Sequence, residues 1–287
     1  GGVLSMPNAE ADVFCAGNWD TCTVGVFDPT LGTVTLDRVG TATCCATAFA
    51  NFNVSGSTYV NMLSASLIRG LLSLPSGSTL DSPLALDIDG SVSLGTTGNW
   101  VTHGLTHTVA GNWTSSGGSI SDALTTIKFD GGGTSSITSV TSASVSNVEV
   151  AKASGTVLLS ESNSVSTTHT WAIAGNLTVT SGTLQVQFWN NNTGVTDGAQ
   201  ITVLGNFVQT GGTTILTRSS VNEGSEDFAR LDVEGNVTVS GGVLSMPNGE
   251  ADVFCAGTWD TCTAGVFDPT LGTVILDRVG TATCCAA

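Results

Sequence analysis

The chain has 287 residues, among them 36 Gly, 32 Ser and 43 Thr, but only 7 Lys and Arg together. This composition predicts an all-β fold, because Gly, Ser and Thr are mediocre to poor in helix interiors. The formal net charge of −16 would repel a phosphate backbone, which excludes nucleic acid as an expected partner. No apolar run reaches the roughly 18 residues of a membrane helix, so we also predict no membrane insertion.

The strongest feature is an internal repeat. Residues 1–46 return as residues 241–286, with identity at 42 of 46 positions. The four differences are Ala9/Gly249, Asn18/Thr258, Val24/Ala264 and Thr35/Ile275. The offset predicts a tandem repeat of 240 residues, of which the chain spans a little over one period. We call residues 1–46 the N-terminal copy and residues 241–286 the C-terminal copy.

A shorter signature recurs inside the long repeat: Gly, then Asn (once Thr), then a large apolar residue that opens a Thr-rich strand. It starts at Gly17, Gly98, Gly111, Gly175, Gly205, Gly235 and Gly257. The last four starts are 30, 30 and 22 residues apart, which suits one coil of a β-solenoid. The sequence therefore predicts one continuous parallel β-solenoid over residues 1–287.

Alternation along the strands predicts the core. In the run from 177 to 188, apolar residues recur at every second position, with a reset at Ser181-Gly182. The pattern places five side chains inward: Leu177, Val179, Leu184, Val186 and Phe188. The four tryptophans that follow the signature occupy the first inward position of a strand. We predict that they form a core ladder, whereas exposed rings would indicate a sugar-binding surface.

The runs Gly17-Asn18-Trp19, Gly32-Thr33-Val34-Thr35-Leu36-Asp37 and Ser76-Gly77-Ser78-Thr79-Leu80-Asp81 carry a family resemblance. The chain resembles the Gly-Asn-Trp β-strand repeats of very large bacterial surface and secreted proteins, which are similar to filamentous-haemagglutinin and autotransporter adhesins. The resemblance implies a right-handed parallel β-helix at the cell surface or outside the cell. It implies a fibre rather than one particular activity.

Four cysteines occur in each copy, and we predict that all of them form disulfides: Cys15, Cys22, Cys44, Cys45, Cys255, Cys262, Cys284 and Cys285. An even count in a chain with features of secreted proteins favours an oxidising compartment. Metal binding is less favoured, because the spacing lacks a Cys-x-x-Cys knuckle. The spacing leaves the connectivity open, since adjacent cysteines on a strand point to opposite faces.

Two groups of acidic residues are candidates for Ca²⁺, which prefers hard oxygen ligands. One is the Asp87-Ile88-Asp89-Gly90 turn, and the other is a loop that contains Glu223, Glu226 and Asp227. Solvated acidic loops explain the same residues, and no other cofactor is expected. His103 and His107 have the spacing of a helical metal pair, but Gly104 and the flanking Thr favour a turn or strand.

Three classes of function remain. The near-perfect repeat favours a structural extracellular filament. An adhesin stalk or carbohydrate-binding β-helix predicts a separate, non-repeated tip. A polysaccharide-cleaving enzyme predicts a groove that contains clustered acidic residues together with Arg or Lys. Only seven basic residues exist to build such a groove, and no nucleophile elbow or phosphate loop is present. We therefore predict a non-enzymatic filament segment that packs head to tail on other copies of itself.

Overall fold

A computed structural model describes residues 2–23, 26–139, 144–161, 168–188, 198–218, 228–249, 251–277 and 283–285. The described residues form β-strands and turns with no helix, which confirms the all-β prediction. Accordingly, no helix of the described part has the length and apolar character needed to cross a membrane. The chain divides into two compact units, Gly1–Lys128 and Phe129–Ala287.

The first unit consists of short strands, most of them three to five residues long. The strands are β1 (Val3–Ser5), β2 (Val13–Cys15), β3 (Trp19–Asp20), β4 (Val26–Asp28), β5 (Thr33–Leu36), β6 (Gly40–Cys45), β7 (Ala48–Phe49), β8 (Asn51–Val54), β9 (Thr58–Met62), β10 (Ser66–Ile68), β11 (Leu72–Leu74), β12 (Thr79–Asp81), β13 (Leu86–Ile88), β14 (Val92–Leu94), β15 (Asn99–Val101), β16 (Thr106–Val109), β17 (Trp113–Ser115), β18 (Ser119–Ser121) and β19 (Thr126–Phe129).

Strands of the first unit pair in parallel with strands about 20 residues further along the chain. Leu72 lies beside Val92, and Val92 lies beside Trp113. Six of the strands form one parallel sheet in the order β18-β15-β12-β9-β6-β3. Because every third strand pairs, each set of three consecutive strands repeats the arrangement of the set before it.

The second unit has longer strands. They are β20 (Ser135–Ser139), β21 (Ser144–Val145), β22 (Asn147–Glu161), β23 (Thr168–Ile173), β24 (Leu177–Phe188), β25 (Gly198–Val203), β26 (Phe207–Gln209), β27 (Thr213–Arg218), β28 (Phe228–Val233), β29 (Val237–Val239), β30 (Val243–Ser245), β31 (Ala251–Cys255), β32 (Trp259–Asp260), β33 (Val266–Asp268), β34 (Thr273–Leu276) and β35 (Cys284–Cys285).

Pairing in the second unit follows the spacing of the Gly-Asn signature. Leu177 lies beside Phe207, Phe207 beside Val237, and Val237 beside Trp259, all in parallel. A second sheet has the order β21-β23-β25-β28-β31-β34. The parallel pairing and its spacing were therefore predictable from the sequence, whereas a single closed solenoid over both units stays a prediction.

The cores of both units consist of the alternating apolar side chains. The five residues predicted to point inward from β24 are fully buried, as are Trp100, Trp113 and Trp259, while Trp19 is almost so. The prediction that these tryptophans are core residues is confirmed. The indole Nε1 of Trp100 donates to Ser82 Oγ at 2.8 Å, so its burial leaves no unpaired donor there. Each such large apolar side chain contributes roughly 1.5–3 kcal/mol of burial free energy.

Candidate functional site

Asn147 and the asparagines of the signature form a ladder of hydrogen bonds along the second unit. The Oδ1 atom of Asn147 accepts the backbone N–H of Asn176 at 2.9 Å, and Asn176 accepts that of Asn206 at 2.8 Å. Asn206 accepts from Asn236 at 2.9 Å, and Asn236 accepts from Thr258 at 2.8 Å. Each of these asparagines is therefore a structural residue, because its side chain accepts a backbone N–H at the turn of the next strand set.

The glycines that precede these asparagines stack on one another. The N–H of Gly205 donates to the carbonyl of Gly175 at 2.9 Å, and a Cβ on Gly205 would lie 2.5 Å from that carbonyl oxygen. The same approach is 2.3 Å for Gly235 and 2.4 Å for Gly257. None of these glycines has a positive φ. Glycine is needed here because the neighbouring backbone occupies the place of a side chain.

Each copy contains one disulfide on its outer face. In the N-terminal copy, Cys22 is bonded to Cys45, with Cα atoms 5.6 Å apart. In the C-terminal copy, Cys262 is bonded to Cys285, with Cα atoms 5.7 Å apart. The disulfide prediction is confirmed for these four residues. Both bridges join consecutive strand sets, and they indicate a non-reducing environment.

An aspartate that sequence reasoning missed holds the first of these bridges. Asp20 lies beside Cys45 in the β3–β6 pair. Its carboxylate accepts the N–H of Cys22 at 2.9 Å and the hydroxyl of Thr23 at 3.1 Å, which forms an Asx turn and turns Cys22 back toward Cys45. In the C-terminal copy, Asp260 accepts the N–H of Cys262 at 3.0 Å. The Asp-x-Cys spacing in both copies was the sequence signal from which this role of the aspartate could have been predicted.

The remaining cysteines, Cys15, Cys44, Cys255 and Cys284, are free thiols in the structure, which differs from the prediction of eight bonded cysteines. The reason is alternation, because Cys44 points into the core while its bonded neighbour Cys45 points outward. Burial, together with the nearby Cys15, raises the pKa of Cys44 to about 12. Burial also raises the pKa of Cys255.

Ligand atoms of Asp20, Cys22 and Cys45 lie within 4.8 Å of one another, as do those of Asp260, Cys262 and Cys285. Two of the three ligand atoms in each group are sulfurs joined in a disulfide. Because the thiolate is the metal-binding form of cysteine, the bonded state does not offer these groups to a soft metal ion.

The calcium candidates remain a prediction. Asp87 and Asp89 are both exposed, and the Thr108 hydroxyl donates to Asp87 Oδ1 at 2.5 Å. In the described part of the chain, no third acidic, His or Cys ligand joins them in a cluster. Glu223, Glu226 and Asp227 lie outside the described residues.

The two histidines of the first unit do not form a metal pair. His107 is fully buried, its Nδ1 accepts the N–H of Leu86 at 3.0 Å, and its Nε2 lies 3.3 Å from the carbonyl of Thr102. Burial lowers the pKa of His107 to about 4, so it is a neutral core residue. His103 has a positive φ of 53° and lies on the surface, where its Nε2 is 2.5 Å from Asp81 Oδ1.

Comparison of the chain with protein-family models, with curated proteins and with solved structures found no match.

Proposed function

We propose that the chain is a structural segment of an extracellular filament or surface fibre. In this proposal it forms a right-handed parallel β-solenoid whose ends pack head to tail on other copies. The parallel pairing at intervals of 20 to 30 residues supports the solenoid, because each strand set repeats the one before it. The disulfide in each copy supports a location outside the cytoplasm.

The observation that carries the proposal is a comparison of the two copies at their first strand set. Leu244 is fully buried, and the pairing of β30 with β27 places it beside Thr214. Its counterpart Leu4, in an almost identical sequence, is 45% exposed. The N-terminal copy therefore presents an apolar face that preceding strands cover in the C-terminal copy.

An aromatic side chain shows the same difference on the outer surface. Phe254 is half-buried, and the guanidinium of Arg230 lies 4.5 Å from its ring centroid. Phe14, the corresponding residue of the N-terminal copy, is 69% exposed. A preceding strand set with an arginine at this position would cover Phe14 by a cation–π contact.

The second strand set of each copy shows the reverse difference. Leu36 is fully buried beside Val54, but its counterpart Leu276 is 38% exposed. Cys44 is buried beside Met62, while Cys284 is exposed. The C-terminal copy thus presents a face that the following strands cover in the N-terminal copy.

Each of these faces is an apolar edge of parallel strands, and an edge of this kind is completed by further strands, either of the same polypeptide or of another copy. Phe52 and Met62 cover Val34 and Cys44 of the N-terminal copy. In the proposal, the apolar Val13 and Trp19 of a neighbouring chain take these two places on the C-terminal copy. A contact between two different faces is heterologous and extends into a filament when it does not close into a ring.

Sedimentation velocity and electron microscopy of the whole chain test the proposal. We expect threads that grow with protein concentration, and we expect Leu4→Glu to shorten or abolish them. Leu124→Glu, at an exposed position outside both copies, is the matched control and should leave the threads unchanged. A compact monomer without threads, or equal effects of both variants, would contradict the filament and favour an adhesin stalk.

One observation favours carbohydrate binding as a second candidate function. Tyr59 is exposed, its hydroxyl donates to Asp81, and Asp81 also contacts His103, so the ring is held rigidly at the surface. A rigid exposed ring is suited to stacking on a sugar. Affinity electrophoresis in soluble neutral polysaccharide tests this, with a loss of retardation expected for Tyr59→Ala and none for Leu63→Ala.

A further inference from the structure

The two cysteines of each copy outside the bridge face the interior. In β2, Phe14 is largely exposed, whereas Val13 and Cys15 lie on the half-buried side. In β6, Cys44 is buried and the bonded Cys45 points the other way. The N-terminal copy therefore has one cysteine pair on its outer face and a second pair of thiols directed inward. In the C-terminal copy the corresponding thiols are the buried Cys255 and the exposed Cys284.

These inward thiols lie close together. The Cys15 thiol donates to the carbonyl of Asn18 at 3.6 Å, and the next residue, Trp19, pairs with Cys44 on the neighbouring strand. Neighbouring strands are about 4.8 Å apart. The two cysteines are therefore separated by the short turn from Cys15 to Trp19 and by the distance between one strand and the next. The nearby Cys15 also contributes, after burial, to the raised pKa of Cys44, as expected for two thiols at this separation.

The C-terminal copy repeats this arrangement. The Cys255 thiol lies 3.7 Å from the carbonyl of Thr258, and Trp259 pairs with Cys284. Cys284 also contributes to the raised pKa of Cys255. The juxtaposition therefore occurs in both copies, although their surroundings differ.

Four cysteines permit three pairings, and the observed bridge between Cys22 and Cys45 leaves only one of them. We propose that Cys15 with Cys44, and Cys255 with Cys284, are redox modification sites that close to inward disulfides on exchange with a small organic disulfide. This inference goes beyond the proposed function and does not depend on it.

The exchange proceeds in two balanced steps. The more accessible thiol, Cys15 in one copy and Cys284 in the other, loses its proton and attacks the organic disulfide, releasing one small thiol. The buried partner, Cys44 or Cys255, then loses its proton and attacks the mixed disulfide, releasing the second small thiol. The protein pair loses two electrons and two protons, and the organic disulfide gains them.

Counting free thiols tests the proposal on the whole, native chain. The protein is incubated with oxidised glutathione, unfolded, alkylated without reduction and weighed by mass spectrometry. We expect the four thiols that the structure shows as free to fall to none. Two or more alkylated cysteines at equilibrium, or glutathione that remains attached to Cys15 or Cys284, would overturn it.

Two matched variants test which residues pair. Trypsin cuts after Arg38 and so separates Cys15 and Cys22 from Cys44 and Cys45. In Cys22→Ser/Cys45→Ser, we expect the two peptides to stay linked through Cys15 and Cys44. In Cys15→Ser/Cys45→Ser, the remaining cysteines face opposite sides, and we expect no link. If the two peptides stay linked to the same extent in both variants, the proposed pairing is contradicted. If a variant does not fold, the thiol count of the wild-type protein alone tests the proposal.

Discussion

The Oδ1 atom of Asn176 accepts the backbone N–H of Asn206 at 2.8 Å, although 30 residues separate them. The side-chain amide of Asn206 donates to the same oxygen at 3.2 Å. A side chain thus takes the place of a backbone acceptor at the turn, where the strand ladder is interrupted. This relationship explains why an asparagine stands immediately before the strand in successive sets.

Breaking this ladder in its middle should destabilise the second unit. Asn206→Ala removes the acceptor of the Asn236 N–H and the donor to Asn176. We expect a loss of about 0.5–1.5 kcal/mol, the usual net contribution of a hydrogen bond. Urea unfolding measures it, and Asn8→Ala at an exposed position is the control. Equal urea midpoints for the two variants would show that the ladder adds no stability.

The same glycine substitution should have different effects in the two copies. A Cβ at Gly257 would lie 2.4 Å from the carbonyl oxygen of Gly235, but a Cβ at Gly17 meets nothing within 4 Å. We therefore expect Gly257→Ala to cost about 1–3 kcal/mol through overpacking. Gly17→Ala should be neutral or slightly stabilising, because it reduces the entropy of the unfolded chain.

Thermal unfolding of these two variants measures the difference. The local sequences are nearly identical, so Gly17→Ala is a close control for Gly257→Ala. Similar losses in both variants would mean that the turn itself, rather than stacking on the preceding strand set, requires glycine.

The buried His107 should make the first unit sensitive to acid. Its pKa in the folded chain is lowered to about 4 by burial, against roughly 6.5 when unfolded. The folded state therefore prefers the neutral ring, and this stability is present above pH 6.5 and lost as the pH falls toward 4. The expected loss over that window is about 3 kcal/mol.

Urea unfolding at pH 7 and pH 4.5 tests this effect in His107→Gln. We expect the variant to lose less stability on acidification than the wild type. Leu63→Ala, at an exposed position without a titratable group, is the control and should retain the pH dependence of the wild type. An unchanged pH dependence in His107→Gln would assign the acid sensitivity to other groups.

Asp20 should accelerate closure of its bridge. Asp20→Ala removes the acceptor that holds Cys22 toward Cys45. We expect closure to slow about fivefold, the equivalent of a hydrogen bond of roughly 1 kcal/mol. Reoxidation is followed by peptide mapping with the four free cysteines changed to Ser. The bridge between Cys262 and Cys285, which keeps Asp260, is the internal reference, and equal rates for both bridges would contradict the role of Asp20.

Much of the fold was predictable because its determinants are periodic. The two-residue alternation of apolar side chains predicted that Leu177 and Val186 point inward, and the spacing of the Gly-Asn signature matched the pairing of Phe207 with Val237. Both patterns follow from strand geometry, which depends only on local chain direction.

The bridges were predictable only in part. Counting indicated disulfides, but the choice of Cys45 rather than Cys44 as the partner of Cys22 depends on which face of β6 meets the turn held by Asp20. The pairing depends on how two segments more than 20 residues apart are oriented toward each other. The spacing of cysteines in the sequence does not contain that orientation.

The sequence by itself determined the all-β class, the strand period, the inward residues and the duplication. Only the tertiary structure decided that nearly identical copies differ in burial, as Leu4 and Leu244 do. The physical reason is that burial depends on neighbouring strand sets. Residues 213–218 and 228–239 precede the C-terminal copy, whereas residues 48–62 follow the N-terminal copy. A local pattern predicts which side of a strand is apolar, but only the assembled neighbours decide whether that side is covered.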